Sequence, residues 1–409
     1  MSEQINTPKM RFPEFRDEWE MKIIKELFNV VSGSTPLRSN TSYYENGNIP
    51  WVKTTDLNNS LINNTSEKVT DIALNNLKLL PKDTVLIAMY GGFNQIGRTG
   101  ILNIKATTNQ AISALIKKDD YNSKFLQSYL NFNVKQWRRF AASSRKDPNI
   151  TKKDIEKFKI PYTCREEQEK IGTFFSKLDR QIELEEEKLE LLEQQKRGYM
   201  QKVFSQELRF KDENGKQYPE GNEYKLNEIG VFNSGIGFPE SLQGGIEGIP
   251  FFKVSDMNTK GNEIVMKKSN NYVSKEIIDS KKWKVITNGP SMIFAKVGAA
   301  IMLNRKRLVL EPFLIDNNTM SYSFSNDWDI NFGRILFQTI YLPKYAQVGA
   351  LPSYNAKDIG TIKVKLPIKQ EQEKIGSFFN KIDNLIELQT SKIELLKQRK
   401  QGLLQKMFV

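Results

Sequence analysis

The sequence predicts an α+β fold: two pseudo-symmetric mixed α/β domains separated by an antiparallel two-helix coiled-coil spacer. Three observations predict it. Residues 167–204 return as residues 371–408, with 23 of 38 positions identical and no gap. Both copies carry an unbroken heptad pattern, and the stretch ahead of each copy alternates short β-branched runs with helical ones. A single duplication at this period means two related halves, not a many-unit solenoid.

In chain order the organisation is a globular domain over 1–165, a helix over 166–204, a second globular domain over 205–370 and a second helix over 371–409. The globular parts share only a frame. Ile-Pro-Trp-Val-Lys-Thr-Thr-Asp-Leu at 49–57 aligns with Ile-Pro-Phe-Phe-Lys-Val-Ser-Asp-Met at 249–257, and Ser32-Gly33 aligns with Ser234-Gly235. Strands are expected at 84–89, 101–104, 292–295 and 361–366, and helices at 125–140 and 331–342. A shared frame with divergent contents suggests two readers of two different things.

The tails give the spacer. In the first, Ile171, Phe175, Leu178, Ile182, Leu189 and Leu192 fall on a 4-3 seam, with Glu185 and Lys196 as its polar members. The second copy places Ile375, Phe379, Ile382, Ile386, Ile393 and Leu396 alike, with Gln389 and Lys400. Polar seam residues cost stability and fix register and partner. Neither tail contains proline. The first helix carries the chain from domain one to domain two and the second begins where domain two ends, so an antiparallel pair needs no long return. In that register Gly172 is expected near Gly402 and Gly198 near Gly376. A helix-interior glycine costs about 1 kcal/mol relative to alanine, so its recurrence points to close helix approach, to the other tail or to a partner.

Composition narrows the function. At 409 residues, 39% hydrophobic and 27% charged, the chain buries two sizeable cores. It has no apolar stretch of the roughly 18 to 20 residues a membrane span needs, and its first residues lack the apolar core of a signal peptide, so a cytoplasmic location with no membrane partner is expected. One cysteine, Cys164, excludes an internal disulfide framework, and zero histidines removes the commonest general base and metal ligand. The net charge of +13 sits in the globular parts, which carry +9 and +5 against −3 and +2 for the tails. That is the footprint of a polyanion binder or of a lysine-rich soluble protein, and charge alone does not separate the two. Major-groove sites on one DNA face recur every 34–36 Å or so, within reach of domains held apart by a rod of this kind. Two divergent domains would read an asymmetric, two-part sequence with an unread gap, and duplicated tails would present one surface to two copies of another subunit.

The pattern closing each half resembles a known family. Pro161, Glu167-Gln168, Lys170-Ile171, Phe174-Phe175, Asp179, Leu191-Leu192, Lys196 and Phe204, repeated as Pro367, Glu371-Gln372, Lys374-Ile375, Asp383, Leu395-Leu396, Lys400 and Phe408, resemble the helical regions of the specificity subunit of Type I restriction-modification systems. The first copy has two extra residues between Pro161 and Glu167. The resemblance implies two target recognition domains, each reading half of a bipartite site in double-stranded DNA, spaced by the helices. It also implies two docked modification (methyltransferase) subunits and further restriction subunits. S-adenosylmethionine and ATP would belong to those partners, with no cofactor, metal or catalytic residue in this chain.

The motifs agree with that division of labour. The string nearest to an adenine-methyltransferase motif, Asp147-Pro148-Asn149-Ile150, has one proline and no aromatic residue. Residues 92–99 mimic a phosphate loop but carry arginine where the phosphate-binding lysine belongs. Arginine and lysine favour guanine, and asparagine and glutamine favour adenine. The candidate DNA contacts in the first domain are therefore Asn94, Gln95 and Arg98, with Thr35, Arg38 and Lys53. Arg138, Arg139, Arg145 and Lys146 form a run suited to phosphates. In the second domain they are Asn304, Arg305, Lys306 and Arg307, with Lys253, Tyr354 and Lys357. Each is also readable as ordinary solvated charge. Two rival functions are a stand-alone architectural or regulatory DNA binder with a self-associating coiled coil, and a nuclease or methyltransferase with unrecognised catalytic residues.

Overall fold

The structure, a computed structural model, describes residues 7–92, 94–142, 149–347 and 351–408. Its contacts divide the described chain into two units, one within Met1–Lys188 and Gln389–Val409, the other within Leu189–Leu388. Each unit holds one globular domain and a stretch of both long helices, Arg165–Phe204 and Lys369–Met407.

In the first unit a five-stranded sheet runs in the order Phe28–Ser32, Ile112–Lys117, Val85–Ala88, Thr99–Leu102, Ser60–Ile62. Beside it lies a three-stranded sheet centred on Ile49–Val52, the Ile-Pro-aromatic strand. Strand Glu20–Ile23 pairs antiparallel with Lys159–Tyr162, tying the domain's first and last strands together where the long helix begins. The second unit repeats the plan: Gly230–Ser234, Thr319–Phe324, Ser291–Ala295, Lys306–Val309; then a sheet centred on Ile249–Phe252; then Asn222–Lys225 against Lys363–Leu366. Its place for a fifth strand shrinks to a single bridge, Val265 to Leu308.

After each Ile-Pro-aromatic strand an aspartate accepts from the backbone of a lysine three residues earlier, Lys53 N to Asp56 at 2.8 Å and Lys253 N to Asp256 at 2.7 Å. That turn is why Lys-x-x-Asp recurs with the strand. The helix expected over 125–140 is two helices, Ser123–Phe132 and Val134–Ala142. Asn133 ends the first, its side chain donating to the Tyr129 carbonyl at 3.0 Å in competition with the helical ladder. The stretch 331–342 is the helix Ile330–Thr339 followed by a 3-10 turn, Leu342–Tyr345, which opens on Pro343.

The long helices pack antiparallel within each unit. In the first, Phe175 stacks on Phe408 (ring centroids 5.9 Å), Asp179 pairs with Lys400, and Glu185 takes two contacts from Gln389 at 2.8 and 2.7 Å. In the second, Lys196 meets Asp383 at 2.7 Å and Phe204 stacks on Phe379 at 6.4 Å. The polar seam residues therefore do fix register: Glu185 faces Gln389, and each seam lysine reaches an aspartate that is identical in the two copies. Ile171, Phe175, Ile182, Ile375, Phe379 and Ile393 are buried, while Leu178, Leu189, Leu192, Ile382, Ile386 and Leu396 are half-buried.

One lock joins each domain to its helix. The Gln168 side chain accepts from Asn122 N (2.9 Å) and donates to Thr163 O (2.7 Å); Gln372 accepts from Asp329 N (2.8 Å) and donates to Pro367 O (2.8 Å). Asn122 and Asp329 are themselves the N-caps of the helices Ser123–Phe132 and Ile330–Thr339. The reach is five residues back in both copies and the strands before it, Lys159–Tyr162 and Lys363–Leu366, keep the same offset, so Thr163 stands where Pro367 does, Pro161 stands where Lys365 does, and the two extra residues expected in the first copy are not an insertion. A Cβ at Gly172 would lie 2.6 Å from the Asn122 carboxamide oxygen, and one at Gly376 would lie 2.4 Å from the Asp329 carboxylate. These glycines admit the cap of the unit's own domain helix, not the other long helix, and Gly198 and Gly402 face open space. The expected glycine pairing across the coiled coil is thus corrected.

Beside each glutamine a glutamate anchors the incoming chain. Glu167 is fully buried and accepts from Arg11 (2.6 and 2.7 Å), Trp19 (2.9 Å) and Thr163 (2.5 Å). Glu371 is also buried but has Arg209 only at 3.5 Å. Burial pushes both carboxyls up. In Glu167 the hydrogen bonds outweigh burial and hold it below the usual range, whereas Glu371 stays above it. Glu167 therefore contributes stability that is present above the unfolded carboxylate value and lost as pH falls through the lowered folded value. Glu371 has the opposite sign and costs stability once ionised. Glu167→Gln should cost roughly 3 kcal/mol by stranding the half-buried Arg11 beside a fully buried site, and Glu371→Gln less than about 1 kcal/mol. Denaturant melts at pH 7 check the order, and equal losses would contradict this account.

Candidate nucleic-acid interface

In the first unit Arg38 and Lys53 converge on one carboxylate. Both bond Glu67, Lys53 at 3.0 Å, and the Arg38 guanidinium lies 4.5 Å from the Tyr44 ring centroid and 4.8 Å from that of Trp51. The hydrogen bond from Arg38 outweighs partial burial and holds the Glu67 carboxyl below its usual range. Two cations against one anion leave a positive, aromatic-backed surface. Thr35 is exposed and hydrogen-bonded to Gln110.

Asn94, Gln95 and Arg98 occupy the tight turn between strands Val85–Ala88 and Thr99–Leu102. Arg98 Nε donates to the Asn94 carbonyl at 3.0 Å, which braces the turn. Gly97, at φ +78°, abuts the indole of buried Trp137, where a Cβ would lie 3.0 Å from the Trp137 Cβ. The turn and the helix Val134–Ala142, which exposes Arg138 and Arg139, are consequently neighbours. Arg145 and Lys146 lie outside the described residues. A strand follows the glycine turn where a phosphate loop requires a helix N-terminus, so the phosphate-loop mimicry ends there.

In the second unit the 304–307 run divides. Arg305 is exposed and Arg307 half-buried, but Lys306 is 7% exposed, its Nζ donating to Ile340 O at 2.8 Å and the Asn304 side chain at 2.9 Å. Asn304 sits in the left-handed region (φ +48°) and accepts from Leu342 N at 3.1 Å. Tyr354 is buried with its hydroxyl on the Ala295 carbonyl. Lys306, Asn304 and Tyr354 therefore brace the fold and do not present their polar groups as base readers, a correction to their candidacy. Lys253 is half-buried and bonds Gln243 at 3.1 Å, and Lys357 is exposed at the start of a short helix.

Two functional partners were missed in sequence. Arg334, 2% exposed, joins Asp383 at 2.7 Å opposite Lys196, coupling the domain helix to both long helices within this unit. Its signal was the identity of Asp179 with Asp383 and of Lys196 with Lys400. The second is a strap in each unit, Arg11-Phe12 in one and Arg209-Phe210 in the other, with Phe12 on Phe174 (6.3 Å) and Phe210 on Phe378 (5.5 Å), whose overlooked signal was the repeated dipeptide. Among the described residues no group of acidic, histidine or cysteine side chains could hold a metal, and no helix is long and apolar enough to cross a membrane.

Burial lowers the Lys306 ammonium to about 7, so over the range up to the ordinary lysine value of about 10.4 the unfolded chain holds a proton that the folded chain has released. Stability then rises with pH across that window and is lost as pH falls through it to about 7. Lys306→Met should flatten that rise in melting temperature relative to the parent chain, and an unchanged slope would contradict the burial argument.

The Type I restriction modification DNA specificity domain model matches residues 16–194 and again 219–398. Among curated proteins, the specificity subunit of Type I restriction enzyme MjaIX from Methanocaldococcus jannaschii is 29% identical over 313 residues, 72% of this chain and 69% of that protein. The MjaVIII specificity subunit of the same organism is 22% identical over 417 residues, 97% and 92% of the two chains. Among solved structures, the Type I restriction-modification S subunit from M. genitalium aligns with a TM-score of 0.61 at 18% identity, covering 98% of this chain and 99% of that one. A chain from work on complex assembly and conformational transition of the Type I system gives 0.58 at 16% identity, covering 95% and 97%. With two domain matches spanning most of its length and the same two-domain, two-helix fold, the chain belongs to the Type I restriction modification DNA specificity family and is a specificity subunit.

Proposed function

We propose that this specificity subunit reads an asymmetric, two-part site in double-stranded DNA, one recognition domain to each half, and that its helices carry two copies of a modification subunit. The observation that carries the reading is the contrast inside each unit. The glutamine lock, the Lys-x-x-Asp turn and the lysine-aspartate seam pair recur in both, while the charged and amide side chains on the loops differ. A common mount with different surfaces is what two readers of different sequences require.

Docking is supported by the outward faces of the helices. Leu191 in one unit and Leu395 in the other are 53% and 66% exposed, lie off the seam, and stand seven residues before Gly198 and Gly402, which face open space. Exposed leucine and an open helix-interior glycine are unfavourable in an unpartnered helix and favourable where a second helix packs closely. The four residues are the same pair at corresponding repeat positions, which fits two copies of one partner. On this reading the chain performs no chemistry. Methylation with S-adenosylmethionine and ATP-driven cleavage belong to modification and restriction subunits, and the complex acts on DNA in the cytoplasm.

Mapping methylated adenines in cells that express the chain with its modification subunit should return a two-part, non-palindromic sequence with a fixed gap, and a palindrome would contradict the reading. Leu191→Glu with Leu395→Glu should leave the chain folded and weaken capture of the modification subunit by at least about tenfold. Mass measurement of the mixture checks it, with an unaltered complex, or a homodimer indifferent to that subunit, as the contrary results.

A further inference from the structure

The second unit holds two adjacent apolar side chains out in solvent on a heavily braced loop. Met302 and Leu303 are each 57% exposed at the end of the 3-10 turn Ala299–Leu303, and Tyr341, 55% exposed, precedes the neighbouring 3-10 turn Leu342–Tyr345. The two turns are bound beneath by one polar knot. Asn304, left-handed at φ +48°, accepts from Leu342 N and donates to Ile340 O at 3.3 Å, and the buried Lys306 ammonium donates to Ile340 O and to Asn304. Ile301, 2% exposed, anchors the turn in the core. At the other end Gly298, at φ +82°, donates its backbone N–H to Pro352 O at 2.8 Å. A loop fixed at both ends, with a buried lysine beneath it, has little freedom to fold Met302 and Leu303 inward.

The surroundings select the occupant. Arg305 and Lys344 are exposed on the same two segments and Arg307 is half-buried, with Glu263 as its acidic neighbour, so three cations stand against one carboxylate and the surround is net positive. A cationic rim around a rigid apolar tip suits a polyanion with an apolar interior, which is a DNA duplex. Phosphates meet the arginines and lysine, and methionine or leucine enters between stacked bases, partly unstacking a step and kinking the helix. We propose that Met302–Leu303 is an apolar wedge that intercalates at one base step of the half-site read by the second domain, with Lys306 and Asn304 as positioning residues. This rests on the DNA-reading function and adds to it a specificity term that base-edge hydrogen bonds do not supply, because flexible pyrimidine–purine steps open most readily.

The test uses the full-length chain, alone and with its modification subunit, on an end-labelled duplex carrying the mapped site and on a scrambled duplex. The parent chain should bend the cognate duplex by tens of degrees in energy-transfer measurements. The double variant Met302→Ala with Leu303→Ala should lose the bend and bind the cognate duplex about tenfold more weakly, with the salt dependence of binding unchanged. Arg305→Ala should instead lower the salt slope by about one. The exchange Met302→Leu with Leu303→Met should keep the bend, which separates apolar bulk from loss of fold. A double alanine variant that binds and bends like the parent overturns the wedge, as does one that loses the modification subunit while binding DNA normally. A parent chain that does not distinguish cognate from scrambled duplex overturns the DNA reading itself and is seen without any variant.

Discussion

The structure depends on a buried glutamine that belongs to two elements at once. Gln168 and Gln372 sit in the first turn of the long helices, and each takes the backbone N–H of the residue that caps its own domain helix. A buried amide left without partners costs about 1–3 kcal/mol, so neither the domain helix nor the long helix can shift without losing contacts the other supplies. Gly172 and Gly376 follow from it, since a side chain there would collide with the cap. The orientation of each recognition domain on its helix is thus set by contacts within a few residues of the helix start.

From that lock the remaining order spreads outward. The glutamate beside each glutamine faces the arginine of the incoming segment, closely in the first unit and at 3.5 Å in the second, and the aromatic next to that arginine packs on the helix two turns further along. Along the helices the apolar seam supplies attraction without direction, while Asp179 with Lys400 and Lys196 with Asp383 set the register, because a slipped pairing would strand a partly buried charge. The second unit adds Arg334 to its aspartate, whereas among the described residues Asp179 of the first is paired with Lys400 alone, so equivalent seams differ in how tightly the domain helix is tied in.

Much of this was legible in sequence, for physical reasons that particular residues show. The seam was legible because a 4-3 spacing has one geometric meaning, and the Ile-Pro-aromatic strands because their turn aspartates repeat with them. The glycines were misread because helix periodicity shows that a face is small and not what approaches it: Gly172 and Gly376 meet the domain helix, and Gly198 and Gly402 have nothing within 4 Å among the described residues. Lys306 was taken for a surface charge, although strand alternation places it on the same face as buried Leu308. Tyr354 gave no such signal, since it precedes a short helix with no period to orient it. In the first domain the turn between two buried strands faces outward at Asn94, with Arg98 half-buried and bonded to the turn, while the Gln95 side-chain oxygen is buried, a difference that residue type alone does not show.

A domain mounted rigidly on a repeated helix is a replaceable part, and the proposed division of recognition rests on it: two units share a mount and a sheet framework and differ in the side chains on their loops. The most direct measurement replaces residues 20–162, the first domain from its opening to its closing strand, with those of another specificity subunit while keeping both helices, and maps methylated adenines before and after. The account predicts that one half of the site changes while the other half and the gap between them stay fixed. A change in both halves, or in the gap, would contradict it.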